Sequence, residues 1–314
     1  MAVKLPTASS LDRAIKCPAS CVLPHVITRP GKAANKGTAI HVYLENVGKV
    51  GPEDALAMVA EEFRGLCSAI DIRSLPTDPS LFASEMAVAW DYVTGKGRLL
   101  GQGKNRDYSG VAATELTGTA DVISWAEGLV VVADYKSGFG YVPPARWNPQ
   151  LRFLALAASS ALGVRRARVA VIKVREGAEP EHDVAELDAL DLDEYAGQLK
   201  RTMTAIFARE AEVLAGRSPD VKEGGWCKYC PAFVHCPGKV ALLSAIAEKG
   251  PGALAAEDMP EVYRRVRSLQ SLSEAAMDRI KELARREPFS IGDGMMFGSR
   301  GNRCVEYRQP EEEV

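Results

Sequence analysis

The feature that most constrains the fold is a strand that is apolar along most of its length and then ends in charged residues. The run "LVVVADYK" covers 129–136, and its apolar residues do not alternate with polar ones. Such a strand is covered on both faces, as in a sheet with helices on each side. Strand-like runs at 81–93 and 114–126 precede it, and a helix-like run at 148–163 and a strand-like run at 165–176 follow it. This order predicts an α/β fold in which a mixed central sheet is flanked by helices.

Two carboxylates and a lysine stand on two consecutive predicted strands. Residues two apart in a strand point to one face, so Asp134 and Lys136 share a face. If "EG" at 127–128 forms a tight hairpin turn, Asp121 on the preceding strand joins them. Carboxylates bind hard cations such as Mg²⁺ or Mn²⁺, and a nearby lysine can orient a water or stabilise charge on a phosphate. The alternative is a surface ion pair at a strand end.

Three further residues are candidates for the same site. His41 lies four residues before Glu45 on one helical face, which suits a metal ligand with a polar neighbour or a histidine with a purely structural role. Glu85 interrupts an apolar strand and is either solvent-facing or a further ligand. Gln150 begins a helix, where it can hydrogen-bond an attacking water or a phosphate, or be an ordinary N-terminal residue of that helix.

The segment "WCKYCPAFVHC" places Cys227, Cys230 and Cys236 close together. The chain has seven cysteines, an odd number, and no export signal is visible. We therefore expect a cytoplasmic protein whose clustered thiols bind metal and do not form disulfides. Tetrahedral zinc and an iron–sulfur cluster both need a fourth ligand, for which Cys17 is the better candidate and Cys21 the next. The spacing alone does not distinguish zinc from iron–sulfur.

The tripeptide "GPG" at 250–252 predicts a boundary between two units. Residues 1–249 contain the predicted sheet and the cysteine segment. Residues 250–314 are expected to form a helical appendage that ends in a short β or irregular tail. The longest apolar run is too short to span a bilayer, so we expect no membrane partner.

The overall charge of the chain is close to neutral. Lys and Arg number 39 and Asp and Glu number 41, which gives a formal net charge of −2. A polyanion such as DNA must therefore be held by a local basic patch and not by bulk charge. The segment 94–110 is rich in Gly, Lys and Arg, and we expect a mobile loop there that contacts DNA or is merely solvated. The candidate DNA contacts are Lys96, Arg98, Lys104 and Arg106 in this loop, and Arg146 and Arg152 after it.

Six segments in this order resemble the RecB-like branch of the PD-(D/E)XK nucleases that carries an iron–sulfur cluster. That branch includes the AddB nuclease domain, the fourth Cas family of exonucleases and phage-borne relatives. The resemblance covers roughly residues 8–240. The segments are "SSLDRAIKCP", "GTAIHVYLE", "GTADVI", "VVADYKSG", "PQLRFLAL" and "WCKYCPAFVHC".

The resemblance implies a restriction-endonuclease-like sheet and an iron–sulfur clasp that joins the N-terminal and C-terminal parts of the nuclease domain. It makes Lys136 the catalytic lysine and Gln150 the motif glutamine. The implied ligands of Mg²⁺ or Mn²⁺ are His41, Asp121 and Asp134, with Glu85 as a further candidate. The implied ligands of a 4Fe-4S cluster are Cys17, Cys227, Cys230 and Cys236.

The function implied by the resemblance is metal-dependent DNA exonuclease activity, with 5′-to-3′ polarity. Such an enzyme would process DNA ends in phage recombination, repair or replication, in the host cytoplasm. Its expected partners are linear DNA ends, single- or double-stranded, a single-strand annealing recombinase, and further copies of the chain. Two alternatives stay open at this point. One is a catalytically silent nucleic-acid-binding or assembly protein with the same fold, and the other is a nuclease stapled by zinc.

Overall fold

A computed structural model describes residues 3–25, 32–70, 82–102, 107–126, 128–137, 141–239, 259–292, 295–300 and 303–308. Its centre is a six-stranded mixed sheet with the strand order β2-β1-β3-β4-β5-β6. β4 and β5 are parallel, and the other neighbouring pairs are antiparallel. The strands are β1 (Phe82–Asp91), β2 (Gly97–Gln102), β3 (Glu115–Ala126), β4 (Leu129–Lys136), β5 (Ala167–Lys173) and β6 (Glu181–Leu187).

Helices cover both faces of this sheet. On one face, side chains of the second, third and fourth helices form a hydrophobic cluster with Val122 of β3 and Ala133 of β4. On the other face, the first, fifth and sixth helices pack against Val130 and Val132 of β4. The helices are α1 (Leu11–Lys16), α2 (Lys32–Val50), α3 (Pro52–Ala57), α4 (Glu61–Cys67), α5 (Pro149–Leu162) and α6 (Ala189–Leu214). The predicted α/β fold with a mixed central sheet is confirmed.

The apolar strand lies where its composition predicts. β4 has β3 on one side and β5 on the other, and its interior residues 130–135 are buried. Because β4 and β5 are parallel, the chain between them must cross over the sheet, and α5 provides that crossover. The β3–β4 hairpin places Asp121, in the middle of β3, beside Asp134, near the end of β4.

The predicted mobile loop at 94–110 is wrong in its central part, because residues 97–102 form β2. This edge strand pairs with β1 and packs against α5. A Cβ atom at Gly97 would collide with the carbonyl oxygen of Ala157, so the glycine there permits a close approach of strand to helix. β6 gives no clear strand signal in the sequence, because most of its residues are exposed and its pairing with β5 defines it.

The C-terminal region contains α7 (Met259–Arg286) and the strands β7 (Phe289–Gly292), β8 (Met295–Arg300) and β9 (Arg303–Arg308). These strands form an antiparallel sheet in the order β7-β8-β9. The boundary predicted at 249/250 lies outside the described residues and stays a prediction. Within the described ranges, every helix is too short or too polar to cross a lipid bilayer.

Candidate active site and cysteine pocket

The sheet is distorted at the point where two acids face each other. The pairings Ser84↔Val122 and Met86↔Ala120 place Glu85 of β1 opposite Asp121 of β3. Glu85 has a φ of 48°, in the left-handed region that a non-glycine residue rarely adopts. Observed backbone strain of this kind recurs at functional sites, where the surrounding structure maintains it.

The distortion shifts the side-chain pattern of both strands by one residue. Ala83 and Met86 pack into the same hydrophobic cluster, although a regular strand would point residues three apart to opposite faces. Ala120 and Ile123 on β3 do the same. Glu85 and Asp121 thus stand at a local kink, where the alternation that buries apolar side chains is interrupted.

His41 of α2 reaches these two acids. Its Nδ1 lies 2.6 Å from Glu85 Oε1 and 3.5 Å from Asp121 Oδ1. The ligand atoms of His41, Glu85 and Asp121 all lie within 4.8 Å of one another. Glu45, which shares the helical face of His41, lies near Lys49 Nζ at 3.5 Å. The close acidic neighbour of His41 is therefore on the sheet and not on its own helix.

The side chain of Asp121 accepts a backbone hydrogen bond where the pairing of β3 with β4 ends. The β3–β4 ladder ends at Val122↔Ala133, and beyond it the backbone N–H of Tyr135 donates to Asp121 Oδ2 at 2.7 Å. This bond orients the buried carboxylate and leaves Oδ1 directed towards His41. The sequence gives no signal for this bond, since it depends on where the two strands diverge.

Asp134 sits in a second, connected group. Lys136 Nζ lies 3.0 Å from Asp134 Oδ1 and 2.7 Å from Asp134 Oδ2. Gln150 at the start of α5 donates from Nε2 to Asp134 Oδ1 at 2.8 Å and accepts from Lys136 Nζ at 3.3 Å. Asn148 caps α5 by accepting a hydrogen bond from the backbone N–H of Gln150. This bond fixes the position of the glutamine in the first turn of the helix. We call His41, Glu85, Asp121, Asp134, Lys136 and Gln150 together the carboxylate site.

Both aspartates are almost fully buried, and this controls their ionisation. Burial raises the pKa of Asp134 to about 6, with the neighbouring Asp121 charge adding to the rise and Lys136 opposing it. Burial likewise raises the pKa of Asp121, and His41 and Lys136 partly offset the rise. Buried carboxylates with raised pKa values, grouped with a lysine and a histidine, are typical of a site that binds a cation or performs acid–base chemistry.

The predicted basic contacts are distributed unevenly. Lys96 is exposed, whereas Arg98 forms a close ion pair with Glu115, with an Nε–Oε1 distance of 2.6 Å. Arg146 donates to the carbonyl oxygen of Glu186 and binds Asp191. Lys104 and Arg106 lie outside the described residues.

Arg152 is largely buried, at 7% exposure, and its guanidinium stacks over the ring of Tyr195 at 4.5 Å. This contact gives it a structural role within the fold, and Arg98 and Arg146 are also engaged within the protein. A role for these residues in binding DNA stays a prediction.

A pocket on another part of the molecule is lined by Cys17, Cys227, Cys230 and Cys236. We call it the cysteine pocket. Cys17 precedes a 3-10 turn near the N-terminus, and the other three lie on or beside the 3-10 turns Gly225–Tyr229 and Phe233–His235. Cys21, the second candidate for a fourth ligand, is buried nearby but does not line the pocket.

The pocket combines thiols with cationic groups. Burial raises the pKa of Cys227 and of Cys230, and neighbouring thiols add to the rise in both cases. Arg13 and Lys239 also line the pocket, and Lys239 is held by Glu223 at 2.8 Å. Arg13 Nε is buried and has no hydrogen-bond partner among the described residues. A buried donor without a partner beside several thiols suits a pocket that receives an electron-rich group.

The comparison with protein families decides the identity at the level of superfamily. A family model described as the PD-(D/E)XK nuclease superfamily matches residues 7–237. The chain belongs to this superfamily. Nucleases of the PD-(D/E)XK superfamily hydrolyse nucleic acids with the help of divalent metal ions, and the matched range contains the carboxylate site and the cysteine pocket.

Two solved structures are similar to this PD-(D/E)XK chain. One is a candidate exonuclease from Eubacterium rectale, with 12% identity, a TM-score of 0.37, and coverage of 67% of this chain and 76% of that chain. The other is the structure of SSO0001, with 15% identity, a TM-score of 0.29, and coverage of 64% and 84%. At these low TM-scores, neither structure bears on the chemistry of this chain.

The donor set of the carboxylate site fits the divalent cation on which PD-(D/E)XK nucleases depend. An imidazole nitrogen and carboxylate oxygens are suitable ligands for Mn²⁺, and the carboxylates for Mg²⁺. Asp134 Oδ2 is buried and accepts no hydrogen bond of good geometry from the described residues, although Lys136 Nζ is close. A buried carboxylate with this oxygen facing only the lysine within the described ranges, next to a three-ligand group, fits a site that binds a cation.

Proposed function

We propose that the chain is a divalent-metal-dependent deoxyribonuclease that degrades DNA from its ends. The observation that carries the proposal is that two groups of side chains meet where Asp121 of β3 lies beside Asp134 of β4. One is the three-ligand group of His41, Glu85 and Asp121, and the other is the Asp134–Lys136–Gln150 network. A bound cation and a cationic side chain at the same phosphate both promote phosphodiester hydrolysis, and this arrangement supplies a place for each.

Each residue has a role in this proposal. His41, Glu85 and Asp121 would hold the cation, with Asp134 at its side, and the cation would supply charge neutralisation and an acidified water. Lys136 is held by Asp134 and Gln150, so its ammonium is pre-positioned to stabilise negative charge that develops on the phosphate. Gln150 donates to Asp134 and accepts from Lys136, which orients both groups.

The test compares the wild-type protein with Asp134→Ala on end-labelled linear DNA in Mg²⁺ or Mn²⁺. We expect the variant to lose nuclease activity and to keep the wild-type circular dichroism spectrum. Asp193→Ala is the control, because Asp193 is an exposed carboxylate that pairs with Arg165 at 2.7 Å. Undiminished cleavage by Asp134→Ala would reject this assignment of the active site. A folded wild-type protein that binds DNA without cleaving it would instead support a catalytically silent binding protein.

The proposal of action from ends, with 5′-to-3′ polarity, rests on the resemblance of the six sequence segments to the RecB-like exonucleases. Covalently closed circular DNA should resist the enzyme, whereas linear DNA should be degraded. A label on the 5′ end should be released before a label on the 3′ end. Rapid cutting of closed circles would indicate an endonuclease, and early loss of the 3′ label would reverse the polarity.

A role in processing DNA ends during phage recombination, repair or replication belongs to the same proposal and has the same support. A single-strand annealing recombinase is the partner to test. Co-purification of the two proteins on linear DNA, but not in its absence, would be the expected result.

We further propose that the cysteine pocket holds a 4Fe-4S cluster through Cys17, Cys227, Cys230 and Cys236. The support for iron over a single zinc ion is the resemblance of the cysteine segment and of Cys17 to the RecB-like nucleases that carry such a cluster. Arg13 and Lys239 would face the negative charge of the cluster.

The choice between iron and zinc is directly measurable. Protein purified without oxygen should be brown, absorb visible light and contain about four iron atoms per chain, the content of one such cluster. Cys230→Ser should bleach it, whereas Cys304→Ser, outside the pocket, should not. A colourless protein with stoichiometric zinc would support the zinc-stapled alternative.

A further inference from the structure

An exposed tryptophan comes just before the carboxylate-site residue Gln150 in the sequence. Trp147 is 58% exposed, and it is the most exposed of the four tryptophans of the chain. It precedes Gln150 by three residues, so the two Cα atoms are at most about 11 Å apart. Leaving a large aromatic ring in water sacrifices the stabilisation that burial would give, and exposed aromatic rings are enriched where proteins bind ligands.

The backbone that carries Trp147 is held firmly. Ala145 is fully buried, and its backbone N–H donates to Asp183 Oδ2 at 2.9 Å. The backbone N–H of Trp147 donates to the carbonyl oxygen of Pro144 at 2.8 Å. The next residue, Asn148, caps α5. Trp147 is therefore an exposed ring on an ordered support, at a fixed position relative to Gln150.

Two arginines flank the ring. The guanidinium carbons of Arg146 and Arg152 lie 5.6 Å and 5.7 Å from its centroid. Arg152 is itself buried and stacked on Tyr195, so it supports the ring from within the fold. Cations against an indole fix its orientation. The charge of Arg146 is itself paired with Asp191, so the two arginines hold the ring in place and do not form a free phosphate site.

We propose that Trp147 stacks on an unpaired base of the DNA strand in the carboxylate site, and so makes the protein prefer single-stranded DNA. In a duplex each base is already stacked on its neighbours, so only an unpaired or terminal base can offer its face to a side chain. Stacking on an aromatic ring is sequence-tolerant because every base has a π face. The inference rests on the proposed function for the identity of the ligand as DNA.

The test measures binding without cleavage, in EDTA, by fluorescence anisotropy of a labelled oligothymidylate and of a blunt duplex of equal length. We expect Trp147→Ala to bind the single strand about tenfold more weakly, since losing one base–aromatic stack has an effect of this order. Trp147→Phe should restore most of the affinity, and duplex binding should change less than twofold in both variants. Tyr263→Ala removes a comparably exposed ring, at 66%, from α7 and should bind as wild type.

A kinetic readout separates this role from a structural one. In Mg²⁺, Trp147→Ala should raise the KM for single strands about tenfold and leave kcat within twofold. Wild-type affinity of Trp147→Ala for the single strand, or an equal loss for single strand and duplex, would overturn the inference. The inference and the proposed function can fail separately. Wild-type protein that binds single strands through Trp147 but never cleaves would refute the nuclease proposal alone.

Discussion

The carboxylate site and the cysteine pocket are built in opposite ways. Asp121 and Asp134 belong to one β hairpin, and their side chains are held by a backbone N–H and by Gln150. Cys17 and Cys227 come from distant parts of the chain and lie beside short 3-10 turns. The first site has its shape from the hydrogen bonds of the sheet. The second joins two distant segments through their thiols, so we expect a group bound there to contribute to folding.

The largest expected effect is a loss of catalytic rate in a variant that keeps the wild-type fold. Lys136→Met should lower kcat on linear DNA by about a hundredfold to a thousandfold, because it removes a pre-positioned cation from the phosphate. Lys173→Met is the matched control, since Lys173 is the register partner of Lys136 on β5 and lies near Glu181. Equal losses in the two variants would show that the effect comes from general surface charge.

The next effect concerns the cysteine pocket. Cys230→Ser should lower the melting temperature of the protein by about 10 °C or more, because the tie between the N-terminal and C-terminal segments is lost. Scanning calorimetry under anaerobic conditions measures this, with Cys304→Ser as the control. An unchanged melting temperature would mean that the pocket keeps its shape without a bound group. The cysteine pocket would then be preformed by the fold, as the carboxylate site is.

A smaller effect is a gain in stability on mutation. Without a metal ion, the buried carboxylate of Asp134 lowers the free energy of unfolding, so its removal should raise that free energy. The folded pKa of Asp134 is about 6, above the value of an unfolded aspartate near 3.9, so the folded state binds more protons between these pH values. Stability therefore falls as the pH rises from about 4 to 6, and the cost is complete at pH 7. In EDTA, Asp134→Asn should be more stable than wild type at pH 7 by up to about 3 kcal/mol, a figure that already includes the opposing effect of Lys136 on the pKa of Asp134.

Urea unfolding at pH 7 and at pH 4.5 checks this prediction. The advantage of Asp134→Asn should shrink at the lower pH, where the wild-type carboxyl is protonated in the folded protein. A variant that is less stable than wild type by the same amount at both pH values would show that the carboxylate is part of a stabilising network and carries no burial cost.

The smallest effect tests the strained backbone of β1. Glu85→Ala and Glu85→Gly both delete the carboxylate, but only glycine adopts a φ of 48° without strain. Glu85→Gly should be more stable than Glu85→Ala by roughly 1 kcal/mol, despite the greater entropy of an unfolded chain that contains glycine. Urea unfolding of the two variants side by side gives the difference directly. A more stable alanine variant would mean that the strand relaxes when the carboxylate is removed.

Much of the fold follows from local patterns in the sequence. The unbroken apolar character of 129–136 predicts a central strand, and the structure places β4 between two neighbours. The helix that contains His41 and the helix that begins near Gln150 are also predicted correctly. These patterns are informative because backbone hydrogen bonds and side-chain burial repeat at the period of the element. β2 and β6 escape this reasoning because they are edge strands, defined by the strand that each one pairs with.

The sequence by itself determined which residue types are available for chemistry: the two aspartates and the lysine, the histidine, the glutamine and the cysteines. Only the tertiary structure decided which of them meet. It brings Glu85, and not Glu45, to His41, and it engages Arg98, Arg146 and Arg152 within the protein. It also leaves Trp147, three residues before Gln150 in the chain, exposed to solvent. The physical reason is that distances between side chains far apart in the chain are set by packing, twist and register, which no local pattern encodes.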